Sequence, residues 1–496
     1  MNEVLEFIEF NKEYWKKIKS NNEKEIIIPM LMNYPTEIEY TMRIAKTLQE
    51  KMGYKIIVLL NRKSEYQDII KSYGVDEIKI LLKTRLNIRI LFLSFFRAAF
   101  LFFKNKSLTE IENIIYKDIK IGDLVYDSYI RDNSVFTFKK CFKSFLTLTK
   151  ALINTECYCK ILNNENIEYI ILRDKLYITH GIFCRCAVKE NKKILLYRSN
   201  IKFINESNIY KHIFYPSLSL SEIHEEIGNK NYLIEIDNYF IDKFKGKITS
   251  FDSINAYNNK KIYSKNEIID ALKLDKEKKI VVIMAHAFSD APHVGKSIYS
   301  DYYIWIKETL KIVKDLNEVN WVIKEHPSSF WYGEKNIVRE IIEKNEIKNV
   351  TFYSNNLSTA GIKNIADCII TDKGTAGLEF ACFGIPCVLA GESYYSGYGF
   401  SHEVKSKEEY KNILKNIKNI KKLNEEQINN AKLLYYYIYI YHNDEVSYIK
   451  KPVITEKYEE INIFKDVLKN NKIHSIYENI LYKSTRKMIE TKTLKF

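Results

Sequence analysis

Short apolar runs alternate with a longer amphipathic segment near the start of the chain. Residues 25–33 (EIIIPMLMN) and 54–60 (YKIIVLL) are apolar runs of strand length. Between them, residues 36–53 place apolar side chains at helical spacing, with Thr36 as N-cap and Gly53 as the stop. The pattern predicts a βαβ unit.

The same alternation continues to about residue 198. Apolar runs at 75–81, 167–172 and 192–198 are separated by segments of helical spacing, one at 66–74 and one from about Gly181. Strands that lack polar alternation and are separated by helices are typical of a parallel sheet covered on both faces.

A second series follows a mainly helical and loop-like stretch at about 205–275. Its predicted strands begin at 278, 320, 349 and 369, with helices at 301–316 and 338–345 between them. The sequence therefore predicts an α/β protein of two Rossmann-like domains that face a central cleft. We place the amino-terminal domain at 1–270, the carboxyl-terminal domain at 271–445 and a helical extension at 446–496.

Composition narrows the class of protein. Of 496 residues, 46% are apolar and 28% charged, which is typical of a soluble globular protein. The net charge is +14, but the basic residues are spread evenly and no basic motif with interleaved aromatic residues accompanies them, so no nucleic-acid partner is expected. The eight cysteines and the acidic start of the chain favour the reducing cytoplasm.

Polar residues follow the strands of the second series. Ligands of doubly wound sheets bind beyond the carboxyl ends of the strands, so the loops after residues 284, 323 and 371 should line one pocket. In the second of these loops Pro327 fixes a turn and leaves His326 where its imidazole can donate to a phosphate. We expect Lys324, His326 and Pro327 at a site for an anionic donor.

The third loop starts a helix in the segment IITDKGTAGLEFACFGIPCVLAG, residues 369–391. Gly374 and Gly377 keep side chains away from the helix start, so its free amides, with that of Ala376, and its positive dipole end face an anion. Thr375 adds a hydroxyl group. Glu379, one turn further on among apolar residues, is placed to accept from a ribose diol. This pattern predicts a nucleotide phosphate site.

The His326–Pro327 pair, followed by TDKGTAGLEFACFGIPCVLAG and ESYYSGYGF, resembles the carboxyl-terminal domain of GT-B glycosyltransferases that build bacterial surface carbohydrate. The resemblance is strongest to capsular-polysaccharide biosynthesis proteins, which include Kdo transferases. It extends to HP-motif sialyltransferases and CDP-glycerol glycerophosphotransferases, and covers residues 278–402.

The resemblance implies a GT-B fold and roles for three residues. In those families the histidine of the HP motif and a Ser/Thr-bearing helix start bind the donor phosphate, and the acid in the helix holds the ribose. By position these are His326, Thr375 and Glu379. Tyr398 stands where Kdo transferases carry Trp, which leaves the donor sugar open.

The implied function is transfer of a sugar from a nucleotide-activated donor, with CMP-sugars as first candidates, to a growing cell-surface polysaccharide or lipid-linked acceptor. The alternatives are a glycerol- or polyol-phosphate transferase on the same fold, a nucleotide-sugar 2-epimerase, and a catalytically silent membrane scaffold. The implied partners are the nucleotide-sugar and the glycan acceptor, and no cofactor is expected.

The loop at 284–295 is the most polar strand end. His286, Asp290 and His293 would suit a metal, but GT-B enzymes of this kind work without one, because helix amides and basic side chains offset the charge of the leaving phosphate. We therefore interpret them as donor or acceptor contacts, with His286 at the donor and Asp290 among the catalytic candidates, and expect no metal site.

A catalytic base must be a carboxylate or histidine that reaches the acceptor hydroxyl group. By analogy with GT-B proteins it belongs to the amino-terminal domain. Asp127 is the first choice, and Asp123, Asp174 and His180 are alternatives.

Residues 81–106 combine a Leu- and Phe-rich body with basic residues. Arg97 interrupts the apolar run, so the segment does not predict a membrane-spanning helix. Its composition suits a helix at 85–104 that lies on an anionic membrane, and it equally suits a buried helix with a few surface arginines. The expected location is the cytoplasm, with peripheral attachment to the inner face of the cell membrane left open.

Overall fold

The computed structural model describes most of the chain, and the described part divides into two compact units. The first unit takes the residues up to Tyr129, Lys139–Tyr210 and the described residues beyond 461, and the second takes Ile130–Phe138 and Lys211–Tyr441. The described residues are 2–32, 35–197, 201–212, 214–216, 218–247, 256–257, 260–354, 356–441, 462–473, 475 and 480–491.

The first unit is built on a six-stranded sheet with the strand order β3-β2-β1-β6-β7-β8. All neighbouring strands are parallel except β7 and β8, which are antiparallel. A short antiparallel ribbon, β4-β5, stands apart from it. The strands are β1 Glu25–Met30, β2 Lys55–Leu60, β3 Glu77–Ile80, β4 Ile115–Tyr116, β5 Ile119–Lys120, β6 Ile167–Leu172, β7 Lys193–Tyr197 and β8 Ile201–Ile204.

Helices flank this sheet. They are α1 Asn2–Trp15, α2 Pro35–Met52, α3 Gln67–Ser72, α4 Leu82–Arg85, α5 Ile88–Lys104, α6 Leu108–Glu112, α7 Gly122–Asp132, α8 Phe142–Leu162 and α9 Ile182–Lys189, with a π-helix at Tyr177–Gly181 directly before α9. The last turn of α7 is grouped with the second unit.

Apolar side chains of the sheet, such as Ile26 and Val58, form one core with Trp15 of α1. The last two described helices, Asn462–Ile473 and Ile480–Thr491, bury Phe464 and Tyr482 in the same core. The described part of the carboxyl-terminal region is helical, as predicted, and these two helices belong to the first unit.

The second unit has a six-stranded sheet, all parallel, with the order β11-β10-β9-β12-β13-β14. Successive residues of β9 enter opposite cores: Val282 packs on one face and Ile283 on the other. This confirms the predicted parallel sheet covered on both faces. The strands are β9 Ile280–Met284, β10 Asn320–Lys324, β11 Val350–Phe352, β12 Cys368–Thr371, β13 Cys387–Leu389 and β14 Ser401–Glu403.

The helices of the second unit are α10 Leu220–Ile227, α11 Tyr232–Phe244, α12 Lys265–Leu272, α13 Tyr302–Val313, α14 Ile337–Lys344, α15 Ile362–Ile365, α16 Ala376–Ala381, α17 Lys407–Lys415 and α18 Glu425–Tyr436. The two helices of the first unit that follow residue 461 are α19 and α20. A π-helix at Tyr437–Tyr441 continues α18, and 3₁₀ turns lie at Ser329–Tyr332, Thr359–Gly361 and Ile417–Asn419.

The division of the chain differs from the boundary that we placed at 270. Helices α10 and α11 bury Ile223, Ile236 and Phe240 in the same core as Leu434 of α18. Residues from 211 onward therefore belong to the second unit. Sequence pattern gives no sign of this, because the partner helix lies far along the chain.

Both sheets have the doubly wound order 3-2-1-4-5-6, in which the direction of winding reverses between the first and fourth strands. The reversal lies between β1 and β6 in the first unit and between β9 and β12 in the second. The α/β class with two Rossmann-like units is confirmed. In such sheets the crevice beyond these two strand ends is where ligands bind.

Candidate functional site

The switch point of the second unit is organised around His286, which follows β9. Its Nε2 lies 3.1 Å from Thr371 Oγ1, at the end of β12, and accepts the backbone N–H of Lys373 at 3.2 Å. The ring stacks on Tyr302 with centroids 4.0 Å apart. These contacts fix the loop that follows β12.

Burial lowers the pKa of His286 well below its ordinary value, and the nearby His326 and Lys373 add to the effect. The ring is therefore neutral at pH 7. Because Nε2 accepts from Lys373, the hydrogen bond assigns the proton to Nδ1. His286 thus acts as a support of the loop, and its predicted contact with the donor stays a prediction.

His326 and Pro327 form the turn after β10, as the sequence predicts. The backbone N–H of Ser328 donates to His326 Nδ1 at 3.3 Å. In the neutral ring this assigns the remaining proton to Nε2, which makes that atom a hydrogen-bond donor. The tautomer suits the predicted contact with a phosphate.

Lys324, the last residue of β10, is almost fully buried, and its Nζ lies 5.9 Å from the centre of the Tyr353 ring. Burial lowers the pKa of Lys324 to about 8, and the charge of Lys260 contributes. The next residue, Glu325, has a buried Oε1 without a hydrogen-bond partner in the described part of the chain, and burial raises its pKa. The end of β10 therefore holds a lysine whose pKa burial lowers to about 8.

The two glycines of the third loop are required by packing. A Cβ on Gly374 would lie 2.7 Å from Thr371 Oγ1, and one on Gly377 would lie 2.1 Å from Tyr395 Oη. The Tyr395 hydroxyl donates to the Gly374 carbonyl at 2.6 Å. Close approach within the protein explains both glycines, and their role at an anion site stays a prediction.

The helix that the third loop starts, α16, is short. Thr375 is exposed, and its side chain makes no capping hydrogen bond to the helix. Ala376 is half-buried beside it. The predicted contacts of Thr375 and Ala376 with a donor phosphate stay predictions.

Glu379 is buried and already has partners within its unit. Lys243 of α11 lies 2.5 Å from Oε2, and the Tyr257 hydroxyl donates to Oε1 at 2.5 Å. Burial alone would lower the pKa of Lys243, but the Glu379 carboxylate raises it above its ordinary value. Both oxygens of Glu379 are therefore engaged by protein groups, while the predicted contact with ribose stays untested.

The loop after β9 is anchored by Glu334, which the sequence did not single out. Its carboxylate accepts from the backbone N–H groups of Phe288 and Ser289 at 2.8 and 2.9 Å. Asp290 is exposed and His293 half-buried in this loop. Across the described part of the chain, no group of three or more His, Cys, Asp or Glu side chains is placed to hold a metal ion.

The switch point of the first unit brings a histidine to a carboxylate. Glu37 lies in the first turn of α2, after β1, and His180 lies in the π-helix that follows β6. His180 Nε2 and Glu37 Oε1 are 3.7 Å apart, and both side chains are buried. The sequence analysis missed Glu37, because an acid in the first turn of a helix is ordinarily explained by the helix dipole.

Asp127 is buried on α7, which is tied to the same π-helix. The backbone N–H of Ile178 donates to Ser128 Oγ at 2.8 Å, and Asn154 Nδ2 donates to the Ile178 carbonyl at 2.9 Å. The structure therefore joins the helix of Asp127 to the segment of His180. Single-turn π-helices occur frequently at functional sites.

The two remaining candidates for the base have structural partners. Asp123 forms a buried two-point ion pair with Arg185, at 2.6 and 2.7 Å. Asp174 accepts the backbone N–H groups of Lys175 and Leu176 at 2.6 and 2.9 Å, as a turn residue does. Asp127 stays the first choice for the base, and the other three stay alternatives.

Comparison with solved structures gives remote likenesses. KpsC, a beta Kdo 2,4 transferase of Thermosulfurimonas dismutans, is 14% identical, with a TM-score of 0.34 over 54% of this chain and 80% of that one. A UDP-GlcNAc 2-epimerase of Neisseria meningitidis is 12% identical, with a TM-score of 0.26 over 82% and 97%. A glycosyltransferase of Rickettsia africae is 11% identical, with a TM-score of 0.28 over 94% and 99%. Likenesses this remote carry no argument about donor, acceptor or reaction.

Comparison with sequences gives a family. No curated protein matches the chain. Residues 217–443 match the family model described as "Capsule polysaccharide biosynthesis protein". The match begins close to the start of the second unit and runs to its end, and includes the ends of β9, β10 and β12. The predicted resemblance to capsule polysaccharide biosynthesis proteins is thereby confirmed over residues 217–443.

Proposed function

We propose that the chain is a glycosyltransferase that moves a sugar from a nucleotide-activated donor to a growing cell-surface polysaccharide or its lipid-linked precursor. The observation that carries the proposal is His326, whose Nδ1 is engaged by Ser328 and whose Nε2–H is therefore a donor, at a strand end of the domain that matches the capsule family. Sugar transfer requires such a group, because the leaving nucleotide phosphate gains negative charge.

On the donor side, the bond between the anomeric carbon and the phosphate oxygen breaks, and the nucleotide leaves with the electron pair. His326 would stabilise that oxygen by a hydrogen bond, and Lys324 would add positive charge where little water competes. His286 would hold the following loop in place. The resemblance makes CMP-sugars the first donors to test.

On the acceptor side, a hydroxyl group attacks the anomeric carbon and must lose its proton. Asp127 of α7 is the proposed base, and His180, which is paired with Glu37 and lies on the π-helix that α7 contacts, is the alternative. Both side chains are buried, so few water molecules would compete with the acceptor hydroxyl group for the base. Asp290, an exposed residue of the loop after β9, is the third catalytic candidate.

The test is a donor screen with the full-length protein. CMP-, UDP- and GDP-sugars and CDP-glycerol are incubated with glycan and lipid-linked acceptors, and the released nucleotide and the acceptor mass are measured. We expect one nucleotide-sugar to be consumed while the acceptor gains the mass of a sugar. A gain of glycerol phosphate, an epimerised donor without nucleotide release, or no reaction with any donor would contradict the proposal.

His326→Ala tests the carrying observation. Loss of one charge-assisted hydrogen bond should cost about 1.5–3 kcal/mol of transition-state stabilisation. This corresponds to a fall in kcat/KM for the donor of about 10- to 150-fold. The matched control is His224→Ala, on the exposed side of α10. Equal kinetics of the two variants would remove His326 from the site.

A further inference from the structure

Helix α5 exposes its large apolar side chains and buries its small ones. Its buried residues are Ser94 and Ala98. Seven large side chains are between 46% and 82% exposed: Ile88, Phe92, Leu93, Phe95, Phe96, Phe100 and Phe103. A surface helix of a globular protein ordinarily turns its apolar stripe toward the core, so this helix has the reverse arrangement.

The amino-terminal half of α8 extends this surface. Phe142 is 71% exposed and Leu146 is 38% exposed. Phe145 links the two helices, with its ring centre 5.3 Å from that of Phe95 and 6.3 Å from that of Phe142. We call the nine exposed apolar residues of α5 and α8 the α5–α8 surface. A continuous apolar patch of this kind marks an interaction site.

The two stretches of chain that carry the α5–α8 surface are basic, and the nearest acids, Glu110 and Glu156, lie outside them beside Lys106 and Arg97. Residues 81–108 and 138–155 contain no Asp or Glu. They contain ten basic residues: Lys83, Arg85, Arg89, Arg97, Lys104, Lys106, Lys139, Lys140, Lys143 and Lys150. Lys140 Nζ binds the carbonyls of Phe102 and Asn105 at 2.6 and 2.9 Å, so one of these cations is fixed at the end of α5. A partner that fits this surface has an apolar region for the phenylalanine side chains and negative charge for the basic ones.

We propose that the α5–α8 surface docks onto an anionic phospholipid bilayer, with its phenylalanine side chains in the interface and its basic side chains at the lipid phosphates. A bilayer supplies both an apolar interior and anionic headgroups. Symmetric pairing with a second copy would instead bring two sets of like charges together. No described helix is long and apolar enough to cross a membrane, so α5 would lie in the plane of the interface.

The proposal goes beyond the proposed transfer reaction and does not depend on it. An enzyme without transferase activity could still dock in this way, and a transferase that acts on soluble glycans need not. Vesicle binding and donor turnover are therefore separate measurements, and failure of one leaves the other intact.

The first experiment is flotation of the full-length protein with vesicles of phosphatidylglycerol and phosphatidylcholine in equal parts. We expect binding at low salt that falls as the salt concentration rises, since the Debye length shortens from about 30 Å at 0.01 M to about 3 Å at 1 M. Pure phosphatidylcholine vesicles should bind much less. Wild-type protein that fails to float at any salt concentration would overturn the proposal.

Two triple variants separate the apolar and the electrostatic parts. Arg89→Gln, Lys104→Gln and Lys143→Gln together should weaken binding about a hundredfold, because each basic side chain at an anionic leaflet contributes about fivefold. Phe92→Ser, Phe96→Ser and Phe103→Ser together should weaken it at least as much, at every salt concentration. All six side chains are exposed, and circular dichroism with Tm checks the fold.

The matched controls alter exposed residues of the same unit outside the surface. Lys17→Gln, Arg62→Gln and Lys63→Gln make the same charge change, and Leu5→Ser with Ile115→Ser removes exposed apolar side chains. We expect these controls to change binding by less than about fivefold. Equal losses in controls and surface variants would contradict the proposal.

Cys141 provides a readout on the wild-type protein. It precedes α8 beside Phe142 and is the exposed cysteine, while Cys159 is half-buried and the other six are buried. An environment-sensitive fluorophore on Cys141 should shift to the blue with the anionic vesicles and remain unchanged with phosphatidylcholine alone. No shift with either, together with a dimer that the Phe→Ser variant dissociates, would assign the surface to a second copy of the chain.

Discussion

The two units share a strand order but differ in the side chains that follow the corresponding strands. At the ends of β9 and β10, the second unit places the buried cation Lys324 and the hydrogen-bond donor His326, while His286 holds the loop that follows β12. At the switch point of the first unit, a carboxylate, Glu37, meets His180, and the helix that carries Asp127 is tied to the same segment. Under the proposed function, the same topology carries the donor phosphate site in one unit and the base in the other.

This difference shows why the fold alone does not give the reaction. Doubly wound sheets host many unrelated activities, and the chemistry depends on which side chains the loops present. A nucleotide-sugar transferase needs both kinds of site: one group of residues to stabilise the leaving phosphate, and another to accept a proton from the acceptor. The predictions below test this division of roles.

The largest effect is expected for the proposed base. Asp127→Asn should lower kcat by about 10²–10⁴, because general base catalysis contributes about that much, while donor KM changes little. Turnover of the variant with the identified donor checks this. Asp174→Asn, which alters a turn carboxylate of the same unit, is the control. An undiminished kcat would shift the role to His180 and Glu37.

The next effect concerns the buried ion pair of the second unit. Lys243→Met leaves the Glu379 carboxylate buried without its cation, which should cost about 3–5 kcal/mol of unfolding free energy. Unfolding of the second unit in urea can be measured by tryptophan fluorescence. Three of the four tryptophans belong to that unit, namely Trp305, Trp321 and Trp331.

Lys311→Met is the control for this variant, because it breaks an exposed pair with Glu308 that contributes about 0.3–0.5 kcal/mol. If Lys243→Met kept full stability and weakened donor binding instead, Glu379 would be free to hold a ribose. That result would favour the role implied by the resemblance over the structural one.

Much of the fold could be predicted because it depends on local pattern. The runs at 25–33 and 54–60 contain β1 and β2, and α2 ends at Met52, one residue before the predicted stop. The boundary at 270 could not be found in this way. It depends on α11 packing against α18, which lies almost two hundred residues further along, and no local signal encodes such a contact.

The candidate site was predicted less completely for a related reason. The sequence identified residues after strands, such as His286 and His326, because strand ends are recognisable. It missed Glu37, Lys243 and Glu334, whose importance arises from a partner distant in sequence. It also gave no sign of the packing at Gly377, where a Cβ would lie 2.1 Å from the Tyr395 hydroxyl.

A smaller effect separates two buried lysines that have the same pKa. Burial lowers the pKa of Lys175 in the first unit and of Lys324 in the second to about 8. Each is a cation below about pH 8 and loses its charge above it. Because only Lys324 lies at the proposed donor site, kcat/KM for the donor should fall by up to about tenfold per pH unit above 8.

Substitution of each lysine tests that assignment. Lys324→Met should flatten the alkaline limb of the pH profile, and Lys175→Met, which removes hydrogen bonds to the Asn208 and Ile209 carbonyls, should leave the limb in place. A limb that disappears in Lys175→Met, or that persists in Lys324→Met, would assign the titration to another group.

The smallest effect is expected from removal of divalent metal. If His326 and Lys324 supply the positive charge for the leaving phosphate, turnover in a chelator should stay within about twofold of the untreated enzyme. A metal that took part in the reaction could replace the contribution of His326 to the leaving phosphate. The experiment is therefore repeated with His326→Ala, in which we expect added magnesium to restore little activity. Activity that vanishes in chelator and returns with magnesium or manganese would contradict this. Asp290 and His293, on the loop that Glu334 anchors, would then be the first candidate ligands to substitute. In that case the second unit would bind the donor phosphate through a metal and not through Lys324 and His326.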